Sequence, residues 1–291
     1  MIRHSPLGLA ELHSHLYGTI RSADYLDYLR DREVDWTSFE IAYERAYGSV
    51  PPVRQIIEGH VRGEAGAAGD FHRLFVFAEQ DAGSFERFQA KRNLTRNGSE
   101  QFNYLNHGYG LPRFLEEVHH FAHKVIDSQR REGIGYAEQR LGLDRDLPPG
   151  DARQVFETIL NAYADYDGSD FAPRLAVSLP REDPWPLWEA VKDLALGPHG
   201  RLLTAIDFCN YEEGHPPKEK KAFFSEVLDF NRRNPERALA ILYHVGESYL
   251  DKSLESAVRW VHEAAQLGAH RLGHADRTGS RSRPVWTAHK N

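Results

Sequence analysis

Short apolar runs alternate with longer amphipathic runs through much of the chain, and this alternation restricts the fold more than any other feature. Such a pattern is typical of βα units, in which helices connect parallel strands and cover the sheet. The six predicted strands are Leu9–His15, Ile134–Leu141, Arg174–Leu179, Leu202–Phe208, Leu239–His244 and His270–His274. The chain is therefore predicted to be an α/β protein with a parallel sheet.

Two of the segments between these strands have clear helical spacing. Apolar side chains recur on one face from Phe114 to Ile126, and Gly133 stands where a C-terminal cap belongs. The same design recurs from Leu254 to Ala265, followed by Gly268. Both segments are predicted to be helices that pack an apolar face on the sheet.

One long region and the C-terminal tail interrupt the alternation. Residues 19 to about 110 follow the first strand without a second one, and their pattern predicts a helical insertion. Its candidate helices include Ala23–Leu29, Phe39–Ala46 and Phe71–Phe77. Residues 277–291 lack apolar periodicity and are predicted to be an irregular tail. We expect residues 1–276 to form a single domain.

Composition and charge limit the kinds of molecule that the chain is expected to bind. The chain has 36 basic and 43 acidic residues, a formal net charge of −7, and one cysteine, Cys209. A lone cysteine cannot form an intrachain disulfide, which favours a reducing, cytoplasmic setting. The basic residues are scattered and no apolar run is long enough for a bilayer, so neither nucleic acid nor a membrane is expected as a partner. A small-molecule substrate is expected instead.

Two histidines share one side of the first predicted strand. His13 and His15 are two residues apart, and side chains at that spacing point to the same face of a strand. Neutral imidazole is a good ligand for Zn²⁺ and similar ions, so the pair can begin a metal site. Taken alone, it fits a metal site and two partly exposed strand-end histidines equally well.

Other predicted strands also end in histidine. His244 ends the apolar run ALAILYH, with Gly246 and Glu247 directly after it, and His274 closes the short strand RLGH. In parallel α/β folds the chemistry takes place at the carboxyl ends of the strands. Histidines at three strand ends therefore indicate one shared site.

These motifs resemble, in their order along the chain, those of the adenosine deaminase group of the metal-dependent amidohydrolase superfamily. ELHSHLYG at 11–18 is similar to the group's first-strand HxHLxG motif, GIGYAEQR at 133–140 to its second strand, AIDF at 205–208 to its fourth, HVGE at 244–247 to its HAGE motif, and RLGHA at 271–275 to its RLGHG motif. The resemblance covers most of residues 9–276. It implies a TIM-type (β/α) barrel with a helical insertion after strand 1.

The resemblance also implies an activity and a set of ligands. The activity is zinc-dependent hydrolytic deamination of adenosine or a related amino-purine, with zinc held by His13, His15 and His244. A metal with three imidazoles and an open position lowers the pKa of its bound water to about 7, which supplies a nucleophile at neutral pH. The chemistry of the residues therefore agrees with the resemblance.

Further roles follow from the same resemblance. Glu247 is expected to handle the proton near the purine N1, since a carboxylic acid can protonate a ring nitrogen as electrons arrive. His274 is expected to orient or stabilise the metal-bound hydroxide. The residues expected to contact the substrate are Tyr17, Gly18, Ala205 and Gly246.

The chain departs from the family pattern after its last predicted strand. The aspartate that the family carries at the end of the eighth strand has no counterpart, because 17 residues follow His274 and the single acid among them is Asp276. Without the insertion about 200 residues remain, whereas eight βα units of roughly 30 residues need about 240. We expect an incomplete barrel of about six of eight units, as in a fragment, an interrupted reading frame or a shortened relative. Its activity would be impaired, and its exposed sheet edges would favour self-association.

Two further departures concern the substrate. Tyr17 stands where relatives that act on adenosine often carry an acid that holds a ribose hydroxyl, and Ala205 stands where the family usually has glycine. Adenosine is therefore one candidate among the amino-purines, including modified nucleosides. Three imidazoles also suit iron, cobalt or nickel, so the identity of the metal stays open.

Two other functions remain open for the same residues. One is a catalytically silent relative or fragment that binds a nucleoside or a partner chain without turnover. The other is a different amidohydrolase reaction at the same metal, which a panel of amide, ester and amino-purine substrates would distinguish.

Several weaker signals favour structural roles. His119 and His123 form an i, i+4 pair on the predicted helix Pro112–Arg131, and such a pair without other ligands is more often a solvated or partly buried face. Glu138 and Arg140 fit either a barrel lining or a buried ion pair. Cys209 is expected to be a small buried residue rather than a nucleophile.

Overall fold

A computed structural model describes residues 8–104, 110–144, 146–167, 170–248 and 250–275. The chain divides into two compact units, and α-helix Gly110–Arg131 runs from one into the other. The first unit comprises the described residues within 8–19 and 118–275, and the second those within 20–117. The predicted tail, 277–291, lies outside the described residues, and the prediction of a single domain stays a prediction.

The first unit is built on a six-stranded parallel sheet whose strands follow chain order from one edge to the other. The strands are β1 (Leu9–His15), β2 (Ile134–Gly142), β3 (Ala172–Ser178), β4 (Leu203–Asp207), β5 (Ala240–Val245) and β6 (Arg271–His274). Each lies within two residues of its predicted bounds. The predicted α/β class is confirmed, and the described residues contain six strands, as predicted.

Eleven α-helices are found among the described residues. They are α1 (Ser22–Leu29), α2 (Thr37–Tyr47), α3 (Val53–Val61), α4 (Ala67–Phe75), α5 (Phe85–Gly98), α6 (Glu100–Asn103), α7 (Gly110–Arg131), α8 (Pro149–Ala164), α9 (Trp185–Leu196), α10 (Lys221–Arg233) and α11 (Leu254–Leu267). Short 3-10 helices are formed by Leu16–Thr19, Glu79–Asp81, Gly200–Leu202, Pro217–Lys220 and Pro235–Arg237. No helix in the described ranges is both long enough and apolar enough to cross a membrane.

The two helices predicted from their spacing end at the expected glycines. Gly133 has φ +80° just after α7, and Gly268 has φ +105° just after α11, a left-handed conformation that glycine adopts without a steric penalty. At the other end of α11, the Ser253 side chain accepts a hydrogen bond from the backbone N–H of Ser256. Local chemistry thus fixes both ends of this helix.

The sheet curves until its two edge strands approach each other at their carboxyl ends. β1 and β6 are the outer strands, yet the ring centroids of His13 on β1 and His274 on β6 lie 5.0 Å apart. On three of the strands between them, β3, β4 and β5, Ala176, Ala205 and Leu242 form a fully buried cluster. This arrangement is a nearly closed, partial TIM-type barrel, as predicted.

The second unit is helical, as the insertion was predicted to be. Its largest fully buried side chains include Tyr25, Phe39 and Phe71. One ion pair lies inside it: the Lys91 Nζ is 2.7 Å from the Asp81 carboxylate, and the pair is at most 5% exposed. Burying an ion pair is costly unless its remaining polar atoms are bonded. Here Asp81 also accepts hydrogen bonds from Tyr47 and from the backbone of Ala78.

Candidate metal centre

Four histidine rings meet at the carboxyl end of the barrel. His13 and His15 come from β1, His244 from β5 and His274 from β6. The centroids of His13 and His244 are 4.8 Å apart, and those of His244 and His274 are 5.2 Å apart. His15 lies 5.7 Å from His13 and 5.4 Å from His244. The strand alternation inferred from the sequence accounts for the pairing of His13 with His15.

The nitrogen atoms of three of these rings are close enough to share one ion. His13, His244 and His274 each offer a ring nitrogen, and these atoms lie within 4.8 Å of one another. The Nε2 atoms of His13 and His244 are 3.0 Å apart. Two nitrogens bound to one tetrahedral zinc at 2.0–2.1 Å lie about 3.3 Å apart, so this pair needs only a small adjustment.

Burial keeps two of the imidazoles neutral at neutral pH. Loss of solvent, followed by the charge of Arg140 and by the neighbouring rings, lowers the pKa of His13 to about 4. Loss of solvent and His244 also lower the pKa of His15 to about 4, although Asp207 acts in the opposite direction. A neutral imidazole has a free lone pair for a metal. The donor set therefore fits a divalent transition-metal ion such as zinc.

A buried carboxylate stands behind the ring of His244. Asp207, at the end of β4, is fully buried and accepts hydrogen bonds from His244 Nδ1 at 3.0 Å, Arg140 Nε at 2.7 Å and the backbone N–H of Phe208 at 2.7 Å. Burial alone would raise the pKa of Asp207, but these partners hold it below its ordinary value. Because a carboxylate can only accept, His244 carries its proton on Nδ1 and turns Nε2 toward His13.

Arg140 links this carboxylate to the first strand. Its second contact is Nη1 to the backbone carbonyl of Leu12 at 2.8 Å, one residue before His13. The side chains of Glu138 and Arg140 both form ion pairs, but not with each other. Arg140 and Asp207 form a buried pair, whereas Glu138 pairs with Arg271 on β6, whose side chain is partly exposed.

The end of β6 departs from regular strand geometry. In a regular strand, the side chains of residues 273 and 274 would point to opposite sides of the sheet. His274 and Ala275 instead have positive φ values, +65° and +47°. Non-glycine residues in this left-handed region are uncommon and are often found at functional sites. The turn leaves the His274 ring in contact with the rings of His13 and His244.

Gly273 allows the rings to come this close. A Cβ atom at this position would lie 3.0 Å from Cγ and Nδ1 of His244 and 3.1 Å from Cε1 of His13. Nine in ten real Cβ contacts are longer than these, so a residue larger than glycine would require the two rings to give by a few tenths of an ångström. The sequence motif contains this glycine, but its spatial reason becomes visible only in the fold.

The loop after β5 carries Glu247 and is held by a carboxylate from another strand connection. Glu212 is buried and accepts hydrogen bonds from three successive backbone N–H groups, those of Gly246 at 3.1 Å, Glu247 at 3.0 Å and Ser248 at 3.1 Å. The φ of Gly246 is +76°, which lets the chain turn into this arrangement. The Glu247 carboxylate itself is half exposed, 3.6 Å from His274 Nε2.

The residues predicted to contact a substrate occupy different depths. Tyr17 and Gly18 lie in the 3-10 helix directly after β1, and the Tyr17 ring packs edge-on against Phe121 at 5.9 Å. Gly246 lies in the loop just described. Ala205 is fully buried in the barrel interior against Ala176 and Leu242. Their roles toward a substrate, and the separate roles assigned to the four histidines and Glu247, stay predictions.

Sequence reasoning did not assign site roles to Asp207, Glu212 or Arg181. Arg181 is fully buried and donates to the backbone carbonyls of Phe208 at 2.5 Å, Asn210 at 2.9 Å and His244 at 2.6 Å, which fixes the ends of β4 and β5. For Asp207, a signal was available, since it is an acid near the carboxyl end of the predicted strand Leu202–Phe208. Cys209 is partly buried, and loss of solvent raises the pKa of its thiol to about 12, so a structural role fits it better than that of a nucleophile.

Comparison with solved structures finds a similar fold in an amidohydrolase and in an adenine deaminase. An amidohydrolase from Burkholderia ambifaria, crystallised with bound zinc, matches 92% of this chain with 16% identity and a TM-score of 0.52. Adenine deaminase from Arthrobacter aurescens also matches 92% of the chain with 16% identity, at a TM-score of 0.50. The alignments cover 59% and 65% of those two proteins, respectively. No protein-family model and no curated protein sequence matches the chain.

Proposed function

We propose that this chain carries the metal site of a zinc-dependent hydrolase that releases ammonia from an amino-purine. The observation that carries the proposal is the convergence of four imidazoles from β1, β5 and β6, with the Asp207 carboxylate behind one of them. The sequence motifs that resemble the adenosine deaminase group supply these same histidines. A solved neighbour with bound zinc and another that is an adenine deaminase are consistent with this chemistry.

The residues at the barrel end would have different roles in binding the ion. His13, His15 and His244 would hold the ion, as the resemblance implies. His274, whose ring contacts those of His13 and His244, would join them or orient the attacking water. When bound, zinc would lower the pKa of a coordinated water and so supply a nucleophile at neutral pH. Asp207 would keep His244 in the tautomer whose Nε2 faces the ion, and Arg140 would keep Asp207 in place.

Glu247 would handle the proton at the purine ring nitrogen. Its loop is fixed by the three backbone hydrogen bonds to Glu212, while its carboxylate stays half exposed next to His274. A fixed backbone with a reachable carboxyl group is what general acid catalysis requires, and such catalysis contributes typically 10²- to 10⁴-fold. Adenine, adenosine and modified adenine nucleosides are all candidate substrates.

The proposal is tested by ammonia release from a panel of amino-purines. We expect turnover that a chelator abolishes and added zinc restores. The variant Glu247→Gln should lose 10²- to 10⁴-fold in kcat and still bind zinc, whereas Glu255→Gln, at the exposed start of α11, should behave as the wild type. Hydrolysis of amides or esters without any preference for purines would refute deamination and leave the metal site intact.

A second candidate is nucleoside binding without turnover. It is favoured by the water access of the site, because the His274 side chain is 35% exposed and the Glu247 side chain 54% exposed. Hydrolytic sites usually exclude bulk water when the substrate is bound. Saturable binding of an amino-purine, measured by calorimetry, with no ammonia released in the presence of zinc, would favour this candidate.

A further inference from the structure

A second pair of neighbouring histidines lies on helix α7 and shares no residue with the metal centre of the barrel. His119 and His123 are one turn apart on α7, and their Nε2 atoms are 3.3 Å apart. His119 is exposed and the side chain of His123 is 27% exposed, so solvent and ions reach the pair. The sequence alone favoured an ordinary helix face here, because it revealed no further ligand.

The structure adds hydrogen bonds that orient one of the two rings. His123 Nδ1 is 2.9 Å from the Tyr166 hydroxyl, and this hydroxyl donates to the Asp127 carboxylate at 3.3 Å. Because the hydroxyl proton points to Asp127, its oxygen accepts the proton on His123 Nδ1. The neutral ring therefore turns an unprotonated Nε2 toward His119. A histidine that donates its other N–H to a fixed acceptor is the usual outer arrangement of a metal ligand.

A carboxylate is within reach as a third ligand. Asp165 directly follows α8, and its Oδ2 lies 3.8 Å from His123 Nε2. Its side chain is 67% exposed, so rotation can bring an oxygen onto an ion held by the two rings. Two imidazoles and a carboxylate are ligands that zinc, copper and nickel accept.

We propose that His119 and His123, with Asp165 as a third ligand, form a surface site for a divalent transition-metal ion that connects α7 to the end of α8. The separation of 3.3 Å between the ring nitrogens is close to the value of about 3.3 Å that two ligands of a tetrahedral zinc adopt. Tyr166 acts as a positioning residue that fixes the His123 tautomer. The site shares no residue with the barrel centre, so it can be tested independently of the proposed function.

Zinc titration of the purified chain tests this proposal. We expect calorimetry to show a binding event that persists in His262→Ala, an exposed histidine on α11, and disappears in the double variant His119→Ala, His123→Ala. Imidazole C–H resonances of His119 and His123 should shift during that event. Zinc should raise the melting temperature of wild type, and raise that of Asp165→Asn by less, because an ion that binds only the folded chain stabilises it.

The variant Tyr166→Phe tests whether the hydroxyl of Tyr166 orients His123 for zinc binding, or whether two exposed histidines are sufficient. Removing the hydroxyl should weaken this zinc event 10- to 100-fold, the usual effect of losing an outer partner of a histidine ligand. Unchanged binding in Tyr166→Phe would refute the positioning role. If the double variant keeps every zinc event of wild type, or if the two resonances do not move, the surface site is refuted. Loss of zinc from the barrel alone would instead contradict the proposed function.

Discussion

Replacing Gly273 by alanine should damage the barrel metal centre while leaving the barrel folded. The added methyl carbon would lie 3.0 Å from two atoms of His244 and 3.1 Å from His13, against about 3.4 Å for a tight but ordinary contact. Both rings must therefore give by about 0.3–0.4 Å, which exceeds the tolerance of roughly 0.2 Å on metal–ligand distances. We expect zinc affinity at this site to fall 10- to 100-fold, as after loss of a supporting partner.

The matched control is Gly135→Ala, at another glycine of the same sheet. A Cβ at Gly135 would meet its nearest atom at 3.8 Å, an ordinary contact, so this variant should bind zinc as the wild type does. Overpacking in a core typically costs about 1–3 kcal/mol, so Gly273→Ala should still unfold cooperatively. Zinc affinity is measured by competition with a chromophoric chelator, and unfolding by urea titration. Equal affinity in the two alanine variants would refute the claim that Gly273 makes room for the rings.

Three further predictions concern buried carboxylates. Asp207→Asn should weaken zinc binding 10- to 100-fold, because His244 loses its outer partner. It should also cost about 3–5 kcal/mol of unfolding free energy, because it leaves Arg140 buried without its counter-charge. Calorimetry measures the first effect and urea titration the second, and unchanged values would contradict the role assigned to Asp207. Glu212→Gln should speed amide hydrogen exchange in the loop after β5 and lower kcat, since three N–H groups lose a charged acceptor; exchange at the wild-type rate would contradict it. In the helical unit, burial would raise the pKa of Asp81 but its bonds to Lys91 and other donors hold it lower, so its stabilisation is present above the unfolded pKa of about 3.9 and is lost as pH falls below it. The difference in unfolding free energy between wild type and Asp81→Asn should therefore be about 3–5 kcal/mol at pH 7 and shrink below about pH 4; a difference independent of pH would contradict this sign.

The sequence predicted the barrel because its signals are local. A buried parallel strand reads as a short apolar run, and each of the six runs became a strand with bounds displaced by at most two residues. The cap glycines Gly133 and Gly268 have the left-handed φ values that their positions required. In both cases the cause lies within a few residues of its effect, so a single sequence contains the needed information.

The site was predicted in part for the same reason. Histidines at three strand ends converge because parallel strands place their carboxyl ends at one edge, and His13 and His15 share a face because of strand alternation. The supporting contacts are long-range: Arg140 and Asp207 are 67 positions apart, and the partners of Glu212 are 34 to 36 positions away. Which buried charge meets which partner depends on the register of the whole sheet, and no local pattern encodes it.

The same distinction explains the surface histidines. The spacing of His119 and His123 places them on one helix face, but the Tyr166 hydroxyl that orients His123 comes from a segment 43 positions away. A histidine pair on a helix without such a partner is more often an ordinary surface feature. The contact with Tyr166 is what favours a metal site here.

We propose that zinc binds among the four imidazoles at the barrel end. Anomalous scattering at the zinc edge, from crystals of the chain grown with zinc, locates the ion. We predict a peak bonded to ring nitrogens of His13 and His244, about 2.0–2.1 Å from each. A map with zinc elsewhere on the protein, or none at all, and no peak among these four rings would contradict the account.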